Sequence, residues 1–176
     1  MRGLRGIHMK KLISAAVLGI ILISCQESES VSEFTGNEVV YALQQGSSFN
    51  VSGQVIISEK KDGSALIEIQ LDGTDGDVQL PAHLHLGDIS TPGAEVAALL
   101  TPVNGVTGKS KTNLLQLADE TSISYKDLIG LEACIKIHLS DIGPERDIVL
   151  AGGNIGAIAT KDATNGRIGI GVCKSE

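Results

Sequence analysis

Between Val51 and Leu71 apolar and polar residues alternate with a period of two, and the alternation is interrupted at Lys60-Lys61-Asp62-Gly63. A period of two is the repeat of an extended strand, whose successive side chains leave opposite faces, whereas one side of a helix repeats every three to four residues. Asp-Gly between two such runs signals a hairpin, because glycine takes the positive φ of a tight reversal without steric cost. In the second arm Ala65, Ile67, Ile69 and Leu71 share one face, the expected core face. This hairpin commits the chain to antiparallel sheet, and every other segment must be compatible with it.

The remaining segments repeat the pattern. "LPAHLHLG", with Pro81 near its start, "AEVAALL", "ACIKIHL", "RDIVLAGGNIGAI" and "GRIGIGVC" are short β-type runs separated by turn residues. "DGTDGD" breaks the chain, and "SISYKDLIG" reads as one short helix. "TPVNGVTG" reads as a surface loop, with or without a binding partner. With no sustained helical period, the expected fold is all-β: an antiparallel Greek-key β-sandwich or flattened barrel with little helix.

The front of the chain has another character. Arg2, Arg5, Lys10 and Lys11 precede an apolar run from Leu12 to Ile23, too short to span a bilayer comfortably, so residues 1–24 read as a secretory signal. Translation starts at Met1 or at Met9, which opens "MKKLIS". Leu22-Ile23-Ser24-Cys25 resembles the lipobox of bacterial lipoproteins, which makes Cys25 the expected lipid attachment site; an ordinary signal peptide or an uncleaved anchor are the alternatives. "QESESVSEFTGNE" offers little to bury, so residues 25–38 read as a solvated tether and residues 39–176 as the folded domain. The expected location is the cell envelope, with the membrane as partner through the lipid.

Removing residues 1–24 leaves ten basic against twenty-one acidic residues. An exterior of that sign repels polyanions, and with no Trp and few other aromatics the chain offers no stacking platform, so nucleic acid is excluded as a partner. With Cys25 acylated, Cys134 and Cys173 remain; in an exported protein they allow one disulfide, or two separate buried thiols. No serine sits in a nucleophile-elbow pattern, and the Gly-rich "AGGNIGAIA" lacks the downstream acid of a dinucleotide site and reads as a sharp β corner. Asp72, Asp75 and Asp77 lack the spacing of a calcium loop.

Only four histidines occur. His8 lies in the signal segment, so every histidine of the exported chain, His83, His85 and His138, belongs to one of two strand-like runs. Residues i and i+2 of a strand project from the same face, which places His83 and His85 side by side within reach of one ion. If the run bearing His138 lies alongside, a third nitrogen converges; three neutral imidazoles with an open position suit copper or zinc, with copper favoured by intrinsic affinity. Asp88 or Asp141 is then expected to orient a ligand ring through its second nitrogen. The competing reading is three histidines that pack against neighbouring strands or bond loop carbonyls. On the other face of the first run, Leu84 and Leu86 are expected in the core.

Two resemblances follow. The Pro-Ala-His-Leu-His run, "LTPVNGVTGKSKT" and the run ending His138-Leu-Ser-Asp make residues 46–156 resemble the CHRD domain, the module named from chordin and common in secreted bacterial proteins. That resemblance implies a non-enzymatic binding or structural module. A fainter likeness is to copper/zinc superoxide dismutases, Greek-key barrels in which a His-x-His strand and a later strand ending in His supply copper ligands. His83, His85 and Asp88 match the first element; His138, Asp141 and Gly143 roughly match the second; Arg167 and Cys173 echo the ending at a longer spacing. A bridging histidine and a His-rich zinc loop are missing. The implied alternative function is a copper-binding, dismutase-like redox protein.

Overall fold

A computed structural model describes residues 32–164 and 171–173. The signal segment and Cys25 lie outside the described residues. Among the described residues, nine strands, two short α-helices and a 3-10 turn follow one another as β1 (Phe34–Gln45), β2 (Ser52–Lys60), β3 (Ala65–Asp72), β4 (Gln79–Leu86), β5 (Val96–Asn104), β6 (Lys109–Leu114), α1 (Tyr125–Gly130), β7 (Glu132–His138), the 3-10 turn Pro144–Asp147, β8 (Val149–Ile155), α2 (Gly156–Thr164) and β9 (Gly171–Cys173). No helix among the described residues is long and apolar enough to cross a membrane.

The strands form one antiparallel sheet in the order β2-β3-β6-β5-β4-β7-β8-β1-β9, and a further β1–β2 pairing closes eight of them into a barrel. The all-β expectation holds, in its barrel form. Strands β2 and β3 pair through the anticipated turn: the Gly63 N–H donates to the Lys60 carbonyl at 2.8 Å, and Gly63 itself has φ 84°. From β3 the chain crosses past β6 and β5 to β4, which is the Greek-key step. Closure removes the exposed edges that an open sheet would leave unpaired.

The interior is filled by small and β-branched side chains, as a narrow barrel requires. Val55, Ile57, Ile67, Ile69, Leu84, Ile135, Ile137 and Ile155 are all at most 1% exposed. Ala65, Ile67, Ile69 and Leu71 form the core face of β3 as expected. On β4 the inward pair is Ala82 and Leu84; Leu86, expected in the core, is 36% exposed because the chain leaves the sheet there.

Three further expectations need correction. The strand β1 begins at Phe34, inside the stretch read as tether, since Val39, Tyr41 and Leu43 anchor it in the core and carry its polar start along β2. The Gly-rich run is strand β8, as its β-type pattern implies, but the sharp corner expected in it gives way at Gly156 to a helix, α2, that its sequence did not announce. Its glycines are explained by close approach to both neighbouring strands: a Cβ on Gly153 would lie 2.2 Å from the Ala42 carbonyl oxygen of β1, and one on Gly152 2.9 Å from the Ile135 carbonyl oxygen of β7. Cys134 is a free, fully buried thiol, so the Cys134–Cys173 disulfide is not formed. Cys134 stands between His85 of β4 and Asn154 of β8, whereas Cys173 stands on β9 opposite Glu38 of β1. Burial pushes the Cys134 thiol up, so it is not an activated nucleophile.

Candidate metal centre

Strand alternation decides which side chains meet outside the barrel. On β4, Ala82 and Leu84 point inward, so His83 and His85 point outward; on β7, Ala133, Ile135 and Ile137 point inward, so Cys134, Lys136 and His138 point outward. The antiparallel register sets His83 opposite Lys136 and His85 opposite Cys134. His138 follows at the end of β7, where a register irregularity between Ile137 and His138 interrupts pairing with β8. Strand β4 carries its own irregularities against β5, between Leu80 and Ala82 and between Leu84 and His85. Each break re-aims a side chain next to the histidines, the usual role of a bulge.

The three rings converge. Their centroids are 5.0 Å apart for His83 and His138, 5.8 Å for His83 and His85, and 6.0 Å for His85 and His138. One nitrogen from each ring lies within 4.8 Å of the others, a spacing a single ion can bridge after small ring rotations. All three sequence-derived candidates are therefore in one place, and among the described residues no other group of His, Cys, Asp and Glu has this geometry.

Loops from opposite sides hold the rings. His85 Nδ1 is 2.8 Å from the Ala94 carbonyl oxygen, in the connection between β4 and β5. His138 Nδ1 is 2.7 Å from the Arg146 carbonyl oxygen, in the connection between β7 and β8. A carbonyl only accepts, so each Nδ1 carries the proton and each Nε2 is left with its lone pair. Those Nε2 atoms, in His85 and His138, are buried and have no hydrogen-bond partner. Backbone carbonyls fixing one nitrogen while the other stays bare is the arrangement that orients imidazole ligands.

Electrostatics keep the rings neutral. Burial is the largest cause lowering the proton affinity of all three; a proton on one imidazole would disfavour a second, between His83 and both other rings and between His85 and His138, and Arg146 at His83 and Lys136 at His85 and His138 act in the same direction, while Asp147 opposes it at His138. The bonds to Ala94 and Arg146 oppose the shift without reversing it. Neutral imidazole is the metal-binding form.

The acids expected to orient the rings do something else. Asp88 accepts from the Ser90 N–H at 2.8 Å and from Asn154 Nδ2 at 2.9 Å, tying the β4–β5 connection to β8. Asn154 Oδ1 also accepts from the Ile89 N–H at 2.7 Å, and Asn154 Nδ2 reaches Asp162 of α2 at 3.0 Å. Asp141 is exposed and lines the rim. The orienting acceptors are backbone atoms, which residue identity does not announce. Lys136 was equally missed, although its position two residues before His138 places it on the same face.

The rings open onto a cavity of about 1180 Å³. One wall is apolar, with Pro92, Val96, Leu99 and Pro102; the other carries Lys136, Asp141, Arg146 and Asp147. No family model matches this chain, and no curated protein or solved structure is significantly similar to it.

Proposed function

We propose that the protein is a lipid-anchored module of the bacterial cell envelope that binds one transition-metal ion, copper or zinc, through His83, His85 and His138. One observation carries the metal reading: two Nε2 atoms, on His85 and His138, are buried without partners in a cluster where one nitrogen of each of the three rings lies within 4.8 Å of the others. Leaving a buried polar atom unpaired costs about 1–3 kcal/mol, so two together point to a group that satisfies both. An ion with open coordination does so and needs no further protein ligand. The envelope location rests on the signal-like segment and Cys25, and the role as a binding module on the chordin-type resemblance.

A dismutase-like redox protein is the second reading. The open side of the cavity favours it, because a reactant can approach an ion that three rings leave uncapped. Calorimetric titration of the full chain with Cu(II) and with Zn(II) tests the metal reading. The expected result is uptake of one ion per chain; a chain that takes up neither ion, or only weakly and in excess, contradicts it. Superoxide consumption by the copper-loaded chain then separates the two readings.

A further inference from the structure

We infer that the cavity over the three histidines binds a small organic carboxylate, its anionic head between the open side of the ion and the Lys136 ammonium, its apolar body on the wall formed by Pro92, Val96, Leu99 and Pro102. The inference rests on the metal reading and names what joins the ion there.

Charge is the first argument. Lys136 is 9% exposed, and its only described hydrogen bond is to the Thr91 carbonyl oxygen at 3.5 Å, the outer limit of such a contact. An ammonium has three protons to donate, and none of the ion pairs among the described residues involves this one. A buried charge needs a counter-charge. Three neutral imidazoles bring none, and a divalent ion at the rings adds positive charge to the same cavity. Asp141 and Asp147 sit on the rim; Asp147 is 89% exposed, lies 4.0 Å from Arg146 and acts on His138, and neither carboxylate forms an ion pair with Lys136. A carboxylate has two oxygens, one for the ion and one for the ammonium.

The opposite wall is the second argument. Leu99 lies directly across from His83 on β5 and is 73% exposed; Val96 lies across from His85 and is 36% exposed. A hydroxide or an inorganic anion would leave this aliphatic surface in water. A cavity of about 1180 Å³ is large enough for a small organic molecule, whose sites typically span roughly 300–1,000 Å³.

The test uses the full chain loaded with one equivalent of Cu(II) and titrated with benzoate, acetate and benzyl alcohol, read by the visible copper band and by calorimetry. Benzoate is expected to shift the band saturably and to bind roughly tenfold tighter than acetate, through burial of its ring; benzyl alcohol is expected to leave the band unchanged. Lys136→Met should weaken benzoate by roughly tenfold or more, the worth of a charged hydrogen bond, while copper binds as well as before or better. A purely structural lysine would weaken both. Leu99→Ala, at an exposed position that the fold does not depend on, should narrow the advantage of benzoate over acetate. Copper uptake with no benzoate preference, or with a benzoate affinity indifferent to Lys136→Met, overturns this inference and leaves the metal reading standing. Absence of copper uptake overturns both.

Discussion

The β2–β3 hairpin and the β4–β7 pair obey the same alternation yet do different work. In the hairpin, eight consecutive residue pairs run from Ser52 and Asp72 to Glu59 and Ala65 without a break in register. Around β4 and β7 the register slips at Leu80/Ala82, Leu84/His85 and Ile137/His138, each next to a histidine. The outer face of the hairpin carries Gln54, Glu68 and Gln70. The outer face of β4 is roofed by two connections whose carbonyls grip His85 and His138. Regular pairing makes scaffold; pairing interrupted under a loop makes a site. Substitutions in the first region should change stability and spare metal binding, and substitutions on the outer face of the second should do the reverse.

The largest effect is expected at the proposed ligands. His85→Ala or His138→Ala should abolish stoichiometric uptake of copper and zinc, read by calorimetry, while shifting the stability of the metal-free chain by less than about 1.5 kcal/mol, since each removes both one hydrogen bond and one unsatisfied buried nitrogen. Equal losses of stability and uptake would erase the distinction between the regions. Next is Leu84→Ala, one residue away on the opposite face of β4. Leu84 is fully buried, so its truncation should cost about 2–5 kcal/mol in urea unfolding. The contrast between positions 84 and 85 then isolates face from sequence neighbourhood.

A smaller effect is expected at the hairpin turn. Gly63→Ala meets no atom within 4 Å, so only the backbone conformation at φ 84° opposes it, and the cost should be about 1–2 kcal/mol with unchanged metal affinity. A loss of metal affinity there would mean that the regions are coupled.

Acid should affect the second region selectively. Burial holds all three histidines below their ordinary value of 6.5 in the folded chain. As pH falls below 6.5, the unfolded chain therefore takes up these protons first. Stability of the metal-free chain should be full above that point and decline below it, and metal should be released as the folded rings themselves protonate. Unfolding curves across this range, compared with those of the His85→Ala variant, should show a weaker pH dependence in the variant.

What was legible in the sequence divides along the same line. Alternation exposed the hairpin, the core face of β3 and both histidine strands, and the stretch "SISYKDLIG", which breaks that alternation, exposed the short helix α1, closed in the structure by a Ser124–Asp127 capping box. Local pattern could not reveal that residues 34–38 join β1, because their pairing with β2 depends on a partner twenty or more residues away. Nor could it reveal the carbonyls of Ala94 and Arg146, since any residue supplies a carbonyl and only the loop path aims it. Cys134 misled for a related reason: residue type suggested a bridge, and the register sent Cys134 and Cys173 to different neighbours.

The convergence of three imidazoles on one ion is tested most directly by X-ray absorption at the zinc edge of the zinc-loaded full chain. The proposed metal centre predicts three imidazole nitrogens bound at about 2.0–2.1 Å. A spectrum with one imidazole or none, its shell filled by carboxylate or water oxygen, would contradict it.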